Sequence, residues 1–538
     1  MTERAAGVVE SLGARATKPG SGFISRVWPP TVEQRRRAGV LAAHAVTLAV
    51  TTAVFLVLNK RFYSNPTGYD EEFFTWGGWC ITKGLAPYRD FLEFKPPVSF
   101  LTHALAIALF GLKNLGYRTF FTIFPLGAVL ALQVSLIARG IGRFLALAIV
   151  TGFLGLFLSP FYHDTALTDC ESIVVTYYVL GLAAFLWEGR FVKVTTALGG
   201  FFMACSVLSK EPISGVVLAT WLGMFWLRKS VTLDGAKFFA RYSLVGVGVF
   251  FLLLSAYMVP TGAMKSYIEL IRSYPRIFRD PRTSYCVALG IAHPDDGFDV
   301  AWTHIRNVFF NQGVLGYLLP LLIPGAIFAL RRSVWLLGTM AFAIAGGLWA
   351  GVATNCMWIH YCVMSMAGVL YALVVAGDSL RWPLASTSRL VRWGTSVASV
   401  GVVAWSLAPT FMQDYRAKFV RVPWQEPQAG LLKFIASHTG PNDRIFTTGT
   451  PQLYAQADRV SAVVQTNIID EIILSYEGST DEERLRPIYE QLVKNKPKVV
   501  FVDPEHEDRK SRHLRTLVYP FLHEFHYQAI NPRLYLRP

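Results

Sequence analysis

Val98-Ser99-Phe100-Leu101-Thr102-His103-Ala104-Leu105-Ala106-Ile107-Ala108-Leu109-Phe110-Gly111-Leu112 is an apolar run of about 15 residues, and its length decides the topology of the chain. A helix that crosses a bilayer needs about 20 residues. Pro96 and Pro97 stand just before the run, where they suit the first turn of a helix. Read as a crossing, it would invert every basic connection that follows. Read as a helix along the outer interface, or re-entering from that side, it keeps the basic clusters together. These are Arg35-Arg36-Arg37, Arg139 with Arg143, Arg190 with Lys193, Arg228-Lys229 with Lys237 and Arg241, Arg331-Arg332, and Arg381 with Arg389 and Arg392. The positive-inside rule then places all of them in the cytoplasm.

Working outward, apolar runs long enough to be read as crossings lie near 38–58, 119–138, 144–160, 172–187, 194–209, 212–227, 242–260, 313–330, 334–352, 358–376 and 393–410. The expected fold is an α-helical polytopic membrane protein with about eleven spans plus juxtamembrane helices. Of the 538 residues 53% are hydrophobic and only 16% charged, too few charges for an ordinary soluble domain. Short alternating segments, the mark of a transmembrane barrel, are absent. The net charge of +15 does not point to nucleic acid, because many of the Lys and Arg residues sit in short connections between apolar runs. The six cysteines contain no CxxC pair, so a thiolate zinc site is not expected. Whether Cys80 pairs with Cys170 or Cys286 is open at this level.

The domain reading follows. Residues 1–37 are polar with scattered Gly and Pro and read as a disordered cytoplasmic tail, followed by an uncleaved anchor. Residues 38–410 form the transmembrane part, with outer loops 59–118, 161–171 and 261–312. Residues 411–538 read as a small α/β domain on the outer face. Its expected helices are Leu431–His438, Asp481–Lys494 and Leu514–Phe525. Its expected strands are Arg444–Thr448, Val499–Asp503 and Leu534–Leu536.

The first outer loop carries the densest chemistry: Tyr69-Asp70-Glu71-Glu72, then Gly84-Leu85-Ala86-Pro87-Tyr88-Arg89-Asp90, then Phe94-Lys95-Pro96-Pro97. Ionisable groups held near hydrocarbon are costly, which marks them as site candidates. The second outer loop adds His163-Asp164-Thr165-Ala166-Leu167-Thr168-Asp169. In this topology Asp70 and Asp169 lie on the same side. Carboxylates beside a cation suit a reaction that deprotonates one partner and stabilises a departing anion on the other. Lys210-Glu211 and His360-Tyr361 are further outer candidates.

In that order and sidedness, these motifs resemble the membrane glycosyltransferases of GT-C fold. The Asp-Glu pair, Gly84-x-x-Pro87-Tyr88-x-Asp90, Lys95-Pro96-Pro97, Thr165–Asp169, Ser209-Lys210-Glu211-Pro212 and His360-Tyr361 are most similar to the protein O-mannosyltransferase and lipid A aminoarabinose transferase group. The family's commoner Gly or Gln is replaced here by Glu211. The resemblance covers roughly 38–410. It implies an inverting hexosyl or pentosyl transferase of the cell envelope, in a bacterial inner or plasma membrane with the C-terminal domain outside. The donor would be a sugar on a polyprenyl phosphate, and the acceptor a glycan, glycolipid or protein.

Within that frame Asp70 is the candidate base, with Glu71 second, and Asp169 binds sugar hydroxyls or orients the acceptor. Lys95, Arg89, Lys210, Arg276 and Arg279 are candidates for the donor phosphate, with Arg272 and Arg282 beside them. His163, His360 and Tyr361 are candidates for substrate binding. No cofactor is expected. Asp70, Glu71, Asp169 and His163 could serve as hard metal ligands, but the resembling groups usually work without an essential divalent ion.

Each residue has a plainer reading. Asp70 and Glu71 could be surface acids, Lys95 a snorkelling side chain, and Asp169 a helix cap. Lys210-Glu211 could be an interfacial ion pair, and His360-Tyr361 part of an aromatic belt with Trp358. The loop arginines could bind lipid head groups. The rival function is a transporter or flippase of lipid-linked saccharides, which would place its charges mid-bilayer in broken helices.

Overall fold

The computed structural model describes residues 32–60, 62, 69–112, 114–158, 167–227, 233–278, 314–352, 362–386, 388, 394, 398, 401, 429–448, 451–464, 481–502 and 509–538. The chain divides into two units, 1–46 and 47–538, and α1 (Val32–Leu58) begins in the first. The second unit holds α2 (Tyr69–Thr82), α3 (Pro97–Phe110), α4 (Asn114–Ala138), α5 (Arg143–Phe157), α6 (Cys170–Leu186) and α7 (Val192–Val207). A single 3-10 turn (Glu211–Ile213) leads into α8 (Ser214–Leu227), then α9 (Leu233–Met258) and α10 (Ala263–Phe278). After these come α11 (Val314–Arg332), α12 (Val334–Val352) and α13 (Cys362–Ser386).

Four described helices are long and apolar enough to cross a membrane, at Gly39–Leu58, Gly116–Ala138, Asp234–Met258 and Val363–Arg381. That is fewer than the expected eleven, because several apolar helices, such as α5 and α6, are shorter. Helices do lie at every expected run from 38–58 to 358–376. The run 393–410 falls largely outside the described residues. Leu252 on α9 is 68% exposed and Trp349 on α12 is 64% exposed. Water would penalise such faces at roughly 25 cal/mol per Å², whereas lipid would not.

α3 has 14 residues, or about 21 Å at 1.5 Å per residue, short of the ~30 Å hydrocarbon core. Pro96 is its N-cap and Pro97 opens it, as the sequence suggested. The stretch 59–118 is not a simple loop, however. α2 occupies 69–82 and packs against α3. Gly77 and Gly78 argue against a helix by propensity, yet they are what permits the packing. A Cβ on Gly78 would lie 2.7 Å from the carbonyl carbon of His103, and one on Gly77 would lie 2.5 Å from the Phe100 ring. The loop 261–312 is likewise partly helical, since α10 fills 263–278.

One end of the bundle is held by a buried ionic knot. Arg139, just past α4, donates Nε–H to Asp378 Oδ1 on α13 at 2.7 Å, and it also pairs with Glu188 after α6. Arg332, at the end of α11, reaches Asp378 Oδ2 at 2.6 Å, and Arg381 lies 3.3 Å from Oδ1. Arg139 and Arg332 also donate to carbonyls of Leu227 and Trp226, the open C-terminus of α8. Members of three of the basic connections named above, Arg139, Arg332 and Arg381, therefore meet at one end of the bundle.

In the tail, α14 (Ala429–His438), β1 (Ile445–Thr447), α15 (Gln452–Ala457), α16 (Asp481–Asn495), β2 (Val499–Phe501), α17 (Arg509–Glu524), β3 (Gln528–Asn531) and β4 (Leu534–Leu536) form a small α/β layer. The sheet order is β1-β2-β4-β3, with β1 and β2 parallel and the other pairs antiparallel. Phe446, Val500, Ile488, Leu492 and Phe521 fill its core. The short α15 and the exposed strand β3 gave no sequence signal. The tail docks on α2: the Tyr454 ring sits 6.3 Å from that of Trp76, Lys83 pairs with Asp458 at 2.7 Å, and Leu92 N–H donates to the Val464 carbonyl. Burial raises the Tyr454 phenol to a pKa of about 12.

Candidate active site

The acids sit at the other end of the bundle from the ionic knot. α4 begins beside them at Tyr117-Arg118 and ends at Arg139, and α6 begins at Asp169-Cys170 and ends by Glu188. Both helices therefore run from the acidic end to the basic end. Glu71 and Asp169 lie at the same end of the bundle.

Glu71 is in the first turn of α2, where a carboxylate also meets the positive end of the helix dipole. Both of its oxygens accept from Arg118, at 3.0 Å from Nε and 2.9 Å from Nη2. Arg118 Nη1 donates to the Phe62 carbonyl at 2.5 Å, and the guanidinium lies over the Phe62 ring. Glu71 is thus committed to a two-point ion pair, a poor position for the base it was expected to be in second place. Asp70 precedes it in the same turn, but its side chain lies outside the described residues.

Asp169 occupies the N-cap position of α6 yet makes no side-chain capping bond, so the plain capping reading does not hold. It is buried, and together with Glu71 it lies within electrostatic reach of the Tyr117 hydroxyl. The backbone just before it is pinned by His103 on α3. His103 Nε2 sits 2.9 Å from the Thr168 carbonyl, which can only accept, so Nε2 carries the proton. Nδ1 of the neutral ring then accepts from the Tyr117 hydroxyl. Phe74 and Phe121 pack against the imidazole.

A third group lies alongside. Val98 N–H donates to the Leu208 carbonyl, and Ser99 Oγ to that of Ser209, at 3.1 and 3.2 Å. These bonds bring Lys95-Pro96-Pro97 beside Ser209-Lys210-Glu211. The Lys210 ammonium is buried and pairs with Glu171 in the first turn of α6. Cys170 Sγ donates to the other Glu171 oxygen at 3.1 Å, and the thiol is free. Lys95, half-buried, is within electrostatic reach of Cys170 and Glu211.

Arg89 stands apart from this strip. It is about half exposed, pairs with Asp90 at 2.5 Å, and donates to the Thr261 carbonyl at 2.6 Å. Desolvation pushes the Asp90 carboxyl up, but Arg89 and the Ala86 N–H outweigh it and hold the group below its usual range. The Arg89 guanidinium is raised in turn, chiefly by its bond to Asp90. Cys80 and Cys170 are both free, so no disulfide joins them.

His163, Arg279, Arg282, His360 and Tyr361 lie outside the described residues, and so does the side chain of Arg276 on α10. Among the described residues no three His, Cys, Asp or Glu side chains gather as a metal site. Sequence reasoning missed Glu171, His103, Tyr117 and Arg118. Glu171 follows Asp169 by two positions and was legible as an acid in a helix's first turn. His103 lies inside an apolar run and the adjacent Tyr117 and Arg118 near the start of another, with no spacing that marks any of the three.

No family model matches the sequence, and no curated protein matches it. The chain is similar to solved structures of an oligosaccharyltransferase from Archaeoglobus fulgidus. With the crystal structure in complex with zinc and sulfate it shares a TM-score of 0.47 and 14% identity, covering 85% of this chain and 68% of that one. With archaeal oligosaccharyltransferase AglB in complex with an inhibitory peptide and a dolichol-phosphate the values are 0.47 and 14%, covering 92% and 74%. TM-scores of this size do not by themselves establish a common fold.

Chemically, the strip offers carboxylates and ammonium groups at one end of an apolar bundle, where water is scarce and fixed charges act strongly.

Proposed function

We propose that the protein is an integral membrane glycosyltransferase of GT-C type, which moves a sugar from a polyprenyl-phosphate carrier to an acceptor hydroxyl at the acidic end of the bundle. The observation that carries this reading is that two acids from distant sequence are held at one end of the bundle. Glu71 is bound by Arg118, next to Tyr117, and the backbone just before Asp169 is tied through His103 to the Tyr117 hydroxyl, while Lys210 pairs with Glu171 at the start of the same helix as Asp169. The acceptor oxygen forms a bond to the anomeric carbon as the bond from that carbon to the phosphate oxygen breaks. The electron pair leaves on the phosphate, and the acceptor's proton passes to Asp70. Lys95 stabilises the departing phosphate, while Lys210 is held by Glu171 and shapes the local field. Asp169 takes sugar or acceptor hydroxyls, and His163, His360 and Tyr361 bind substrate. Attack opposite the leaving group inverts the anomeric carbon. No metal ion takes part in this scheme. The membrane is a bacterial inner or plasma membrane, with the acidic end and the tail outside.

Against the transporter reading, the described site acids and Lys95 and Lys210 gather at helix starts and ends rather than within broken helices. The test is purified protein in detergent with a polyprenyl-phosphate sugar and candidate acceptors. Transfer that disappears in Asp70→Asn with unchanged folding supports the proposal. Lipid-linked saccharide movement across proteoliposomes with no transfer to any acceptor would overturn it.

A further inference from the structure

We infer that Tyr88 is a positioning residue for Lys95, tying the donor-phosphate side of the site to helix α10; this rests on the role proposed for Lys95. Tyr88 belongs to Gly84-x-x-Pro87-Tyr88-x-Asp90, a motif to which the reaction scheme assigns no task. The segment is a tight, self-bonded turn. Asp90 Oδ2 accepts from Ala86 N–H at 2.8 Å, Asp90 N–H returns to the Ala86 carbonyl, and Tyr88 N–H donates to the Phe91 carbonyl at 2.6 Å. Within it Tyr88 has φ of 66°, a left-handed conformation that a bulky residue rarely adopts and keeps only when its surroundings enforce it.

The enforced conformation aims the side chain. The Tyr88 hydroxyl donates to the backbone carbonyl of Lys95 at 2.8 Å, seven residues on. Its ring meets that of Tyr267 on α10 with centroids 4.7 Å apart, and both rings are buried. Tyr267 in turn lies within electrostatic reach of Glu211, in the strip beside Lys210. The next residue, Arg89, clasps the same corner through the Thr261 carbonyl and packs along Gly262, where the chain turns from α9 into α10. One segment therefore grips α10 with the Tyr88 ring, the turn before α10 with Arg89, and Lys95 with the Tyr88 hydroxyl. The tilted ring pair and the Tyr88 hydroxyl thus link α10 to the Lys95 backbone.

Tyr88→Phe tests this, because it removes only the hydroxyl and keeps both the ring contact and the backbone. The probe is polyprenyl phosphate, with affinity measured by direct binding to the purified full chain for wild type, Tyr88→Phe, Lys95→Ala and the double variant. Tyr88→Phe is expected to weaken binding about three- to tenfold, the size of one lost neutral hydrogen bond. The double variant is expected to bind no worse than Lys95→Ala, since Tyr88 acts through Lys95. Acceptor KM stays unchanged. Wild-type affinity in Tyr88→Phe, or losses that multiply in the double variant, would overturn the positioning role while leaving Lys95 as a phosphate ligand. Wild-type affinity in Lys95→Ala would instead remove Lys95 from donor binding, and the inference with it.

Discussion

Arg118 reaches from α4 to Glu71 at the start of α2 with two parallel hydrogen bonds, and neither side chain is more than 3% exposed. Removing one member strands the other charge in an apolar site, at about 3–5 kcal/mol. Arg118→Ala should therefore lower the melting temperature of the detergent-solubilised protein steeply. Replacing both residues by apolar ones of similar size should be milder. If the double replacement is as damaging as the single, the pair is more than a structural clasp.

Asp169 separates capping from chemistry. Asn caps a helix about as well as Asp, so Asp169→Asn preserves any capping contribution. Its melting temperature should match wild type while turnover falls about 10- to 100-fold, the size of a lost charged hydrogen bond to a sugar or acceptor hydroxyl. Wild-type turnover in Asp169→Asn would show that the negative charge is not used.

Lys95 and Lys210 should behave differently despite their shared neighbourhood. The Lys210 ammonium is buried against Glu171, so Lys210→Ala should reduce folded yield through an unpaired buried carboxylate. Lys95 is half-buried, and Lys95→Ala should leave the melting curve nearly unchanged while raising donor KM. Thermal melts beside donor titrations on the same preparations distinguish them. A common loss of stability in both would place Lys95 in the structural framework.

What was legible in the sequence follows its physics. The crossing helices and α3 announce themselves because apolar length is a local property, and the alternation of basic connections then fixes which ends lie together. The alternation put Asp70 on the same side as Asp169; among the described side chains it is Glu71, next to Asp70, that lies at the same end of the bundle as Asp169. α2 was missed because Gly77 and Gly78 lower helix propensity, and their benefit appears only where α3 crosses. Arg118 and Arg139 were unreadable as partners because Glu71 and Asp378 lie 47 and 239 residues away. Arg89 drew attention as a cation near acids, but its own neighbour Asp90 and a carbonyl 172 residues away hold it.

Asp378 carries the opposite end. It is fully buried and receives Arg139, Arg332 and Arg381 from three directions. Asp378→Ala leaves three guanidinium groups facing one another and should abolish the monodisperse peak in size-exclusion chromatography. Arg332→Ala should be far milder, because that side chain is 28% exposed and Asp378 keeps two partners. A well-behaved Asp378→Ala protein would mean the knot contributes little to assembly.

Asp90 gives the acid limb of stability a definite sign. Its folded-state pKa lies below the ordinary 3.8, because Arg89 and the Ala86 N–H outweigh desolvation. The folded chain therefore binds that proton less readily than the unfolded chain. The resulting stabilisation is complete above pH 3.8 and fades as the pH falls through the lower folded-state value. Asp90→Asn should accordingly be less stable than wild type at neutral pH, and the gap should narrow on acidification below 3.8. Thermal melts of both proteins across the acid range provide the comparison. A gap that stays constant through that range would show that the carboxylate's charge is not what holds the turn.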